Sequence, residues 1–309
     1  MSAEITAFLA PGIHDGISPA RYHADLLAAS PSLSSSVAVD LIAKSPSHAR
    51  LNHPRLAPPT DEAVDATTAS MTFGGLVHAI LSGSPEEMFS FIVSPFENYK
   101  TAEARLWKEA SIAAGKTPVK EADVTRAEQV VSAVRHQLDA MHLGYIFAEG
   151  RPEQTALWQF GDAWMRARFD RWIPERGEIW DIKTTGKSAH PEQVSKMIPA
   201  MNYDMRSEFY LLGAEAITGM PSKRGGLGYQ FLFIETMPPF AVTPCYLDES
   251  FRARGRQRAQ QAIRIWSECM ATGVWPGYVT SPVQITAPGW VDYELDESEN
   301  AISTGEKMT

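Results

Sequence analysis

The chain has 309 residues, 44% hydrophobic and 21% charged, an ordinary globular balance with enough apolar content for one large domain or two small ones. Its net charge of −9 argues against a protein that coats nucleic acid by bulk electrostatics. A local basic channel stays compatible, because the field in a cleft depends on nearby charges.

Only Cys245 and Cys269 occur, and no motif pairs them, which argues against a disulfide framework and against zinc or iron–sulfur ligation. The start MSAEITAFLAPGIHDG lacks a secretory pattern, and no apolar run approaches membrane-spanning length. A soluble, cytoplasmic protein without a membrane partner is the expectation. There is no internal repeat, and Arg224-Gly225-Gly226-Leu227-Gly228 lacks the Lys and Ser/Thr of a phosphate loop.

In chain order, the first thirty residues read as irregular. Ser34 to Ala43 (SSSVAVDLIA) reads as a short helix with serines to cap it and Val37, Leu41 and Ile42 on one face, stopping before Ser45-Pro46. His53 to Ser70 is rich in Pro and Thr and is expected to be a mobile connection. Thr72 to Ser82 (TFGGLVHAILS) predicts a buried helix, in which Gly74 and Gly75 imply close backbone packing. His78 is its only titratable residue. On this stretch alone, a core histidine bonded to a carbonyl is the favoured reading. Thr101 to Ala114 and Glu121 to Met141 predict further helices, the second with Val124, Val131, Val134, Leu138 and Met141 at helical spacing.

Composition changes after Gly150. Thr155 to Phe160, Ala163 to Ile173 and Glu178 to Thr184 read as a strand meander with Glu153 at its entrance. Pro191 to Pro199 and Tyr203 to Thr218 read as helices, Gly228 to Glu235 and Phe240 to Leu247 as strands, and Asp248 to Thr272 as a long helix capped by Asp248. The polar tail 297–309 is expected to be disordered. This order implies an α/β fold: a mixed central β-sheet flanked by helices, with a helical N-terminal region over 1–149 and a core with its C-terminal helix over 150–296, together one domain.

The most informative stretch is the hairpin Ala163 to Thr185, AWMRARFDRWIPERGEIWDIKTT. Alternation puts Trp180 and Ile182 on one face and Asp181 and Lys183 on the other. Counting back from the turn Pro174 to Gly177 places Asp170 opposite Asp181. Adjacent carboxylates repel unless a cation sits between them, and oxygen ligands suit Mg²⁺ or Mn²⁺. The plain alternative is a solvated face with weak surface pairs. The last helix carries Arg252, Arg254, Arg256, Arg258 and Arg264, with no acid from Phe251 to Trp266. Phosphate contact, with Arg254 and Arg258 on one face, and simple neutralisation of nearby acids are equally good readings.

Taken together, the hairpin, His78 and the last helix resemble the PD-(D/E)xK nuclease superfamily, and within it the RecE-type exonucleases (exodeoxyribonuclease VIII) of phages and prophages. The likeness runs from about Leu33 to Tyr293. It rests on the helix followed by Ser-Pro-Ser-His-Ala-Arg (45–50), on Phe73-Gly74-Gly75-Leu76-Val77-His78, and on Glu153 opening the first core strand. It rests also on FD…WDIKTT and on Trp275-Pro276-Gly277-Tyr278 … Pro288-Gly289-Trp290. The resemblance implies a restriction-endonuclease-like core with Asp170, Asp181 and Lys183 as catalytic residues. It implies Mg²⁺ or Mn²⁺ held by His78, Asp170, Asp181 and the Ile182 backbone carbonyl, with Glu153 accessory.

One departure stands out. The family's Gln-x-x-x-Tyr pattern appears as Arg206 before Tyr210, with Glu208 where a small residue is common. Both Arg206 and Tyr210 are candidate substrate-binding residues, Arg206 as a forked phosphate donor. The resemblance further implies hydrolysis from double-stranded DNA ends, a single-strand annealing partner and a ring-shaped homo-oligomer. The rival readings are a non-hydrolytic nuclease-like binding module and an iron–sulfur nuclease of the CRISPR-associated type, the latter disfavoured by the cysteine count.

Overall fold

The computed structural model describes residues 7–58, 69–223 and 225–288. Backbone contacts group Met1–Trp275 as one unit and Pro276–Thr309 as another, and the elements below belong to the first.

The opening stretch, expected to be irregular, forms three short elements: β1 (Gly12–His14), α1 (Pro19–His23) and β2 (Ser32–Leu33). Helix α2 (Ser35–Ala43) starts where Ser34 turns extended and its side chain accepts from the Val37 N–H. Helix α3 (Pro46–Leu51) starts the same way at Ser45, with Pro46 in the first turn. Then come α4 (Ala69–Ser82), α5 (Pro85–Met88), β3 (Phe91–Val93), α6 (Ala102–Ala113), β4 (Thr117–Val119), α7 (Glu121–Ala140) and α8 (Tyr145–Ala148). The core follows as β5 (Arg151–Phe160), β6 (Ala163–Ile173), β7 (Glu178–Thr185), α9 (Pro191–Ala200), α10 (Tyr203–Thr218), β8 (Gly228–Glu235), β9 (Val242–Tyr246) and α11 (Glu249–Thr272). Asp248 caps α11, accepting from the Phe251 N–H. The short strands β3 and β4 pair as a separate ribbon; three residues are too few for a period to show.

The expected mobile connection is corrected at its start. His53 is fully buried; its Nε2 lies 3.1 Å from the Ser32 carbonyl and 3.3 Å from Asp25 Oδ2. Arg55 donates to the carbonyls of Asp25, Ala28 and Ala29. The remainder of that stretch, 59–68, lies outside the described residues, as do Gly289, Trp290 and the tail 297–309.

The main sheet runs β1-β5-β6-β7-β8-β9, with β2 parallel to β6. Its pairs are antiparallel except β2–β6 and β7–β8. The parallel β7–β8 pair requires the crossover that α9 and α10 supply. Both faces are covered. Ile179, Phe231 and Phe233 pack with Phe209, Ile263 and Trp266. Trp180, Ile182, Leu232 and Ile234 pack with Leu76, Val77, Val130 and Val134 of α4 and α7. No described helix is long and apolar enough to cross a membrane.

Two details position the site. The hairpin has the register expected from its turn: Arg171 pairs with Trp180, Trp172 with Ile179 and Ile173 with Glu178, closed by Gly177 at φ +66. Beyond Arg171 the ladder stops, so β6 and β7 part where Asp170 and Asp181 face each other. Helix α4 meanwhile lies so close to β7 that a Cβ on Gly74 would sit 2.5 Å from Thr184 Oγ1, which is the close packing its glycines imply.

Candidate active site

Three neighbouring strands deliver acids to one row. The β5–β6 register pairs Pro152 with Arg171 and Gln154 with Phe169, which sets Glu153 across from Asp170, as the hairpin sets Asp181 across from it on the other side. Glu153 holds φ at +53, a conformation that costs a non-glycine residue about 1–3 kcal/mol and is found where surroundings impose it. Alternation slips at the same place: Phe169 and Trp172, three residues apart, pack into the same core cluster. Where the ladder is broken, Asp170 Oδ2 takes the Ile182 N–H at 2.7 Å. Lys183 Nζ lies 2.5 Å from Asp181 Oδ1. Asp181 is only 6% exposed, so the acids are not on a solvated hairpin face.

His78 arrives from α4. Its Nε2 is 3.1 Å from Asp170 Oδ2, and its Nδ1 is 3.0 Å from Glu87 Oε2 and 3.7 Å from Glu153 Oε1. The core-histidine expectation is therefore corrected: its partners are three carboxylates, not a carbonyl. Arg171 anchors the end of α4, its guanidinium donating to the carbonyls of Leu81, Ser82 and Gly150 at 2.6–3.0 Å. Arg168 ties the glutamates: Nε is 2.5 Å from Glu153 Oε2 and Nη2 is 3.9 Å from Glu87 Oε1.

The electrostatics follow from burial and crowding. Burial pushes Glu153 up to about 8, with the charge of Asp170 adding to it. Burial also lifts Asp181 to about 6, against the pull of Lys183. Burial would raise Asp170 as well, but His78, Lys183 and the Ile182 N–H hold it well below the usual carboxylate range. Burial works against a charge on His78, yet Asp170, Glu87 and Glu153 raise it well above an ordinary histidine. Lys183, likewise opposed by burial, is raised by Asp181 and Asp170.

Such an acid-rich, half-buried cluster suits a divalent cation. Glu153 Oε1 is buried and makes no hydrogen bond. Nitrogen and carboxylate donors are those of hard and borderline cations. The 3.1 Å between His78 Nε2 and Asp170 Oδ2 is close to the ~3.0 Å edge of an octahedron with 2.1 Å bonds. On the far side of the ring, His78, Glu87 and Glu153 each offer a donor atom, all within 4.8 Å of one another.

The cleft of about 380 Å³ in front of this row is lined by His78, Glu87, Glu153 and Asp170, and by Arg206 and Tyr210 of α10. Arg206 Nη1 donates to Ser36 Oγ at 3.1 Å, and the Tyr210 hydroxyl lies 3.4 Å from Ser35 Oγ. Arg254 and Arg258 are elsewhere: both pair with Asp204 of α10, which is fully buried, and neither lines the cleft. Arg252 and Arg256 pair with Glu208 in the same way. Of the two readings of that helix, neutralisation of neighbouring acids is the one the geometry supports, because α10 supplies the acids. Glu87 was missed by sequence reasoning. Its only signal is Gly83 ending α4 and Pro85 restarting a helix, which returns the chain towards His78.

Comparisons with known proteins agree with this architecture. The profile of a PDDEXK-like domain of unknown function (DUF3799) matches residues 42–282. No curated protein matches the chain. Among solved structures, a candidate exonuclease from Eubacterium rectale superposes with a TM-score of 0.53 at 12% identity, covering 85% of this chain and 92% of that one. A phage-related exonuclease from Haemophilus somnus gives a TM-score of 0.29 at 10% identity, covering 65% of this chain and 96% of that one. The first shows a shared fold; the second carries no structural argument. With the family match spanning β5 to β9 and the helix that bears His78, the chain belongs to the PDDEXK-like family DUF3799.

Proposed function

We propose that the protein is a Mg²⁺- or Mn²⁺-dependent DNA exonuclease that hydrolyses phosphodiester bonds from duplex ends, in phage-type recombination. The observation that carries this reading is the convergence of His78 from α4, Asp170 from β6, and Asp181 and Lys183 from β7. His78 Nε2, Asp170 and Asp181 would hold the cation, with the Ile182 carbonyl as a further oxygen and Glu153 accessory. When bound, the ion lowers the pKa of a coordinated water and neutralises charge on the phosphate.

The remaining work falls to this chain's side chains. Lys183 is held charged by Asp181 and Asp170, so it acts as a donor, orienting the attacking water or stabilising the developing negative charge. Arg206, on the cleft wall beside Ser36, offers a forked donor to a phosphate, and a terminal phosphate is the one an end-dependent enzyme meets. The cytoplasm, a homo-oligomeric ring that threads an end, and a single-strand annealing protein as partner complete the reading.

The test is substrate topology. Linear duplex should be degraded stepwise in Mg²⁺ while covalently closed circles survive. Removing the terminal phosphate should slow degradation, and Arg206→Gln should shrink that difference. Rapid cutting of closed circles would leave an endonuclease on the same site. No cutting of either substrate, with DNA binding intact, would make the protein a non-hydrolytic binding module.

A further inference from the structure

Glu87 belongs to α5, whose four residues Pro85–Met88 follow Gly83 at φ +65. That left-handed glycine ends α4 and reverses the chain, which brings Glu87 Oε2 to 3.0 Å from His78 Nδ1. Nε2 of the same ring lies 3.1 Å from Asp170 Oδ2. A neutral imidazole carries its proton on one nitrogen and offers a lone pair only at the other. Which nitrogen can face a cation is therefore set by which carboxylate takes the hydrogen bond.

The surroundings separate the two sides. Asp170 Oδ2 already accepts from the Ile182 N–H at 2.7 Å and shares its row with Asp181 and Lys183, so this side holds the acid, acid-x-lysine set of the proposed reaction. On the Nδ1 side, the Arg168 guanidinium is fixed 2.5 Å from Glu153 and 3.9 Å from Glu87. Arg168 supplies positive charge there, as Lys183 does beside Asp181 on the other side, so charge alone does not choose the nitrogen and position beside the catalytic row does.

We propose that Glu87 is the positioning residue for His78: it accepts the Nδ1–H hydrogen bond, fixes the plane and tautomer of the ring, and leaves the Nε2 lone pair aimed beside Asp170 Oδ2. This rests on the metal-nuclease reading above. A carboxylate behind a ligating histidine orients the ring and raises its basicity. Glu87 touches neither ion nor substrate in this role, so all of its effect passes through His78.

The experiment measures Mn²⁺ binding to the full chain without DNA, by electron paramagnetic resonance of the free ion, alongside thermal melting. Glu87→Ala should weaken Mn²⁺ binding about 10- to 100-fold, and Glu87→Gln, which keeps an acceptor oxygen, only about threefold. His78→Ala should bind as weakly as Glu87→Ala, and the double variant should be no weaker than His78→Ala alone. Should Glu87→Ala melt early, Glu87→Asp carries the test, since it keeps the charge but shortens the arm, and its loss should likewise vanish in the His78→Ala background. Wild-type affinity in Glu87→Ala would overturn the proposal, as would losses that add in the double variant, which would make Glu87 an independent ligand. Wild-type protein that holds no Mn²⁺ would remove the metal-nuclease reading and this role together; an unaffected Glu87→Ala in a protein that does bind Mn²⁺ removes only the latter.

Discussion

Two regions of this molecule bury acids against bases, and they balance them in opposite ways. Between α10 and α11, four arginines (Arg252, Arg254, Arg256 and Arg258) face three acids, Asp204, Glu208 and Glu215. Along the acid row, whose Asp181 and Lys183 sit behind the cleft lining, four acids (Glu87, Glu153, Asp170 and Asp181) face Lys183, Arg168 and the imidazole of His78. The helix seam is complete as it stands. The acid row has negative charge to spare. The pKa shifts run both ways in each region: in the seam Arg256 and Ser222 pull Glu215 down against burial while burial lifts Glu208, and in the acid row burial pushes Glu153 and Asp181 up while His78 holds Asp170 and Glu87 down. Buried acids with enough basic partners hold helices together; buried acids without them make a place for a cation.

The sharpest break of this comparison is a matched pair of substitutions. Asp181→Asn should lower nuclease turnover on the order of a thousandfold, as loss of one member of a catalytic unit does. Asp204→Asn should leave turnover per folded molecule unchanged but destabilise the protein by about 2 kcal/mol, because the buried side chain loses its charge-assisted contacts with Arg254 and Arg258. Charge reversal at Arg254 and Arg258 belongs with the second class: it should lower the melting temperature and leave the salt dependence of DNA binding unaltered. Turnover assays and thermal melts of the same preparations separate the classes. A seam variant with normal stability and lost DNA binding would reverse the assignment.

A smaller effect comes from the approach of α4 to the sheet. Gly74→Ala places a Cβ 2.5 Å from Thr184 Oγ1, so the helix must shift, and His78 moves with it. A displacement near 1 Å in a reacting group costs about a hundredfold in rate. Adding Thr184→Ala removes the obstructing oxygen and should restore part of the activity. Unchanged kinetics in Gly74→Ala would mean that His78 tolerates a looser fit than the carboxylates around it suggest.

The mildest probe is pH. Glu215 has a depressed folded pKa; its stabilisation is present above the unfolded value and is lost only as pH falls through the lower folded one. Glu153 and Asp181 have the opposite sign. Their folded pKa values, about 8 and about 6, lie above the unfolded ones. Their contribution is full below the unfolded pKa and fades as pH rises through those values. Cation-free protein should therefore lose stability between pH 5 and pH 9, and Mg²⁺ should reverse that loss. Glu153→Gln should flatten the slope. Melting curves at three pH values, with and without Mg²⁺, suffice. A slope unaffected by Glu153→Gln would place the titration elsewhere.

Local rules were enough for much of this molecule. Alternation along Glu178–Thr185 separates Trp180 and Ile182 from Asp181 and Lys183, and the four-residue turn sets Asp170 across from Asp181; both depend on neighbours in the chain. The caps Ser34 and Asp248 are legible for the same reason. Tertiary packing decided the rest. His78 reaches Asp170 only because Gly74 lets α4 lie on β7 and Arg171 ties down its end. Glu87 joins through a chain reversal with no period to reveal it. The arginines of α11 could have met phosphate or carboxylate; α10, more than forty residues earlier, presents Asp204 and Glu208 to them. A side chain's own chemistry is written in the sequence, but its partner is chosen by which surfaces the fold presses together.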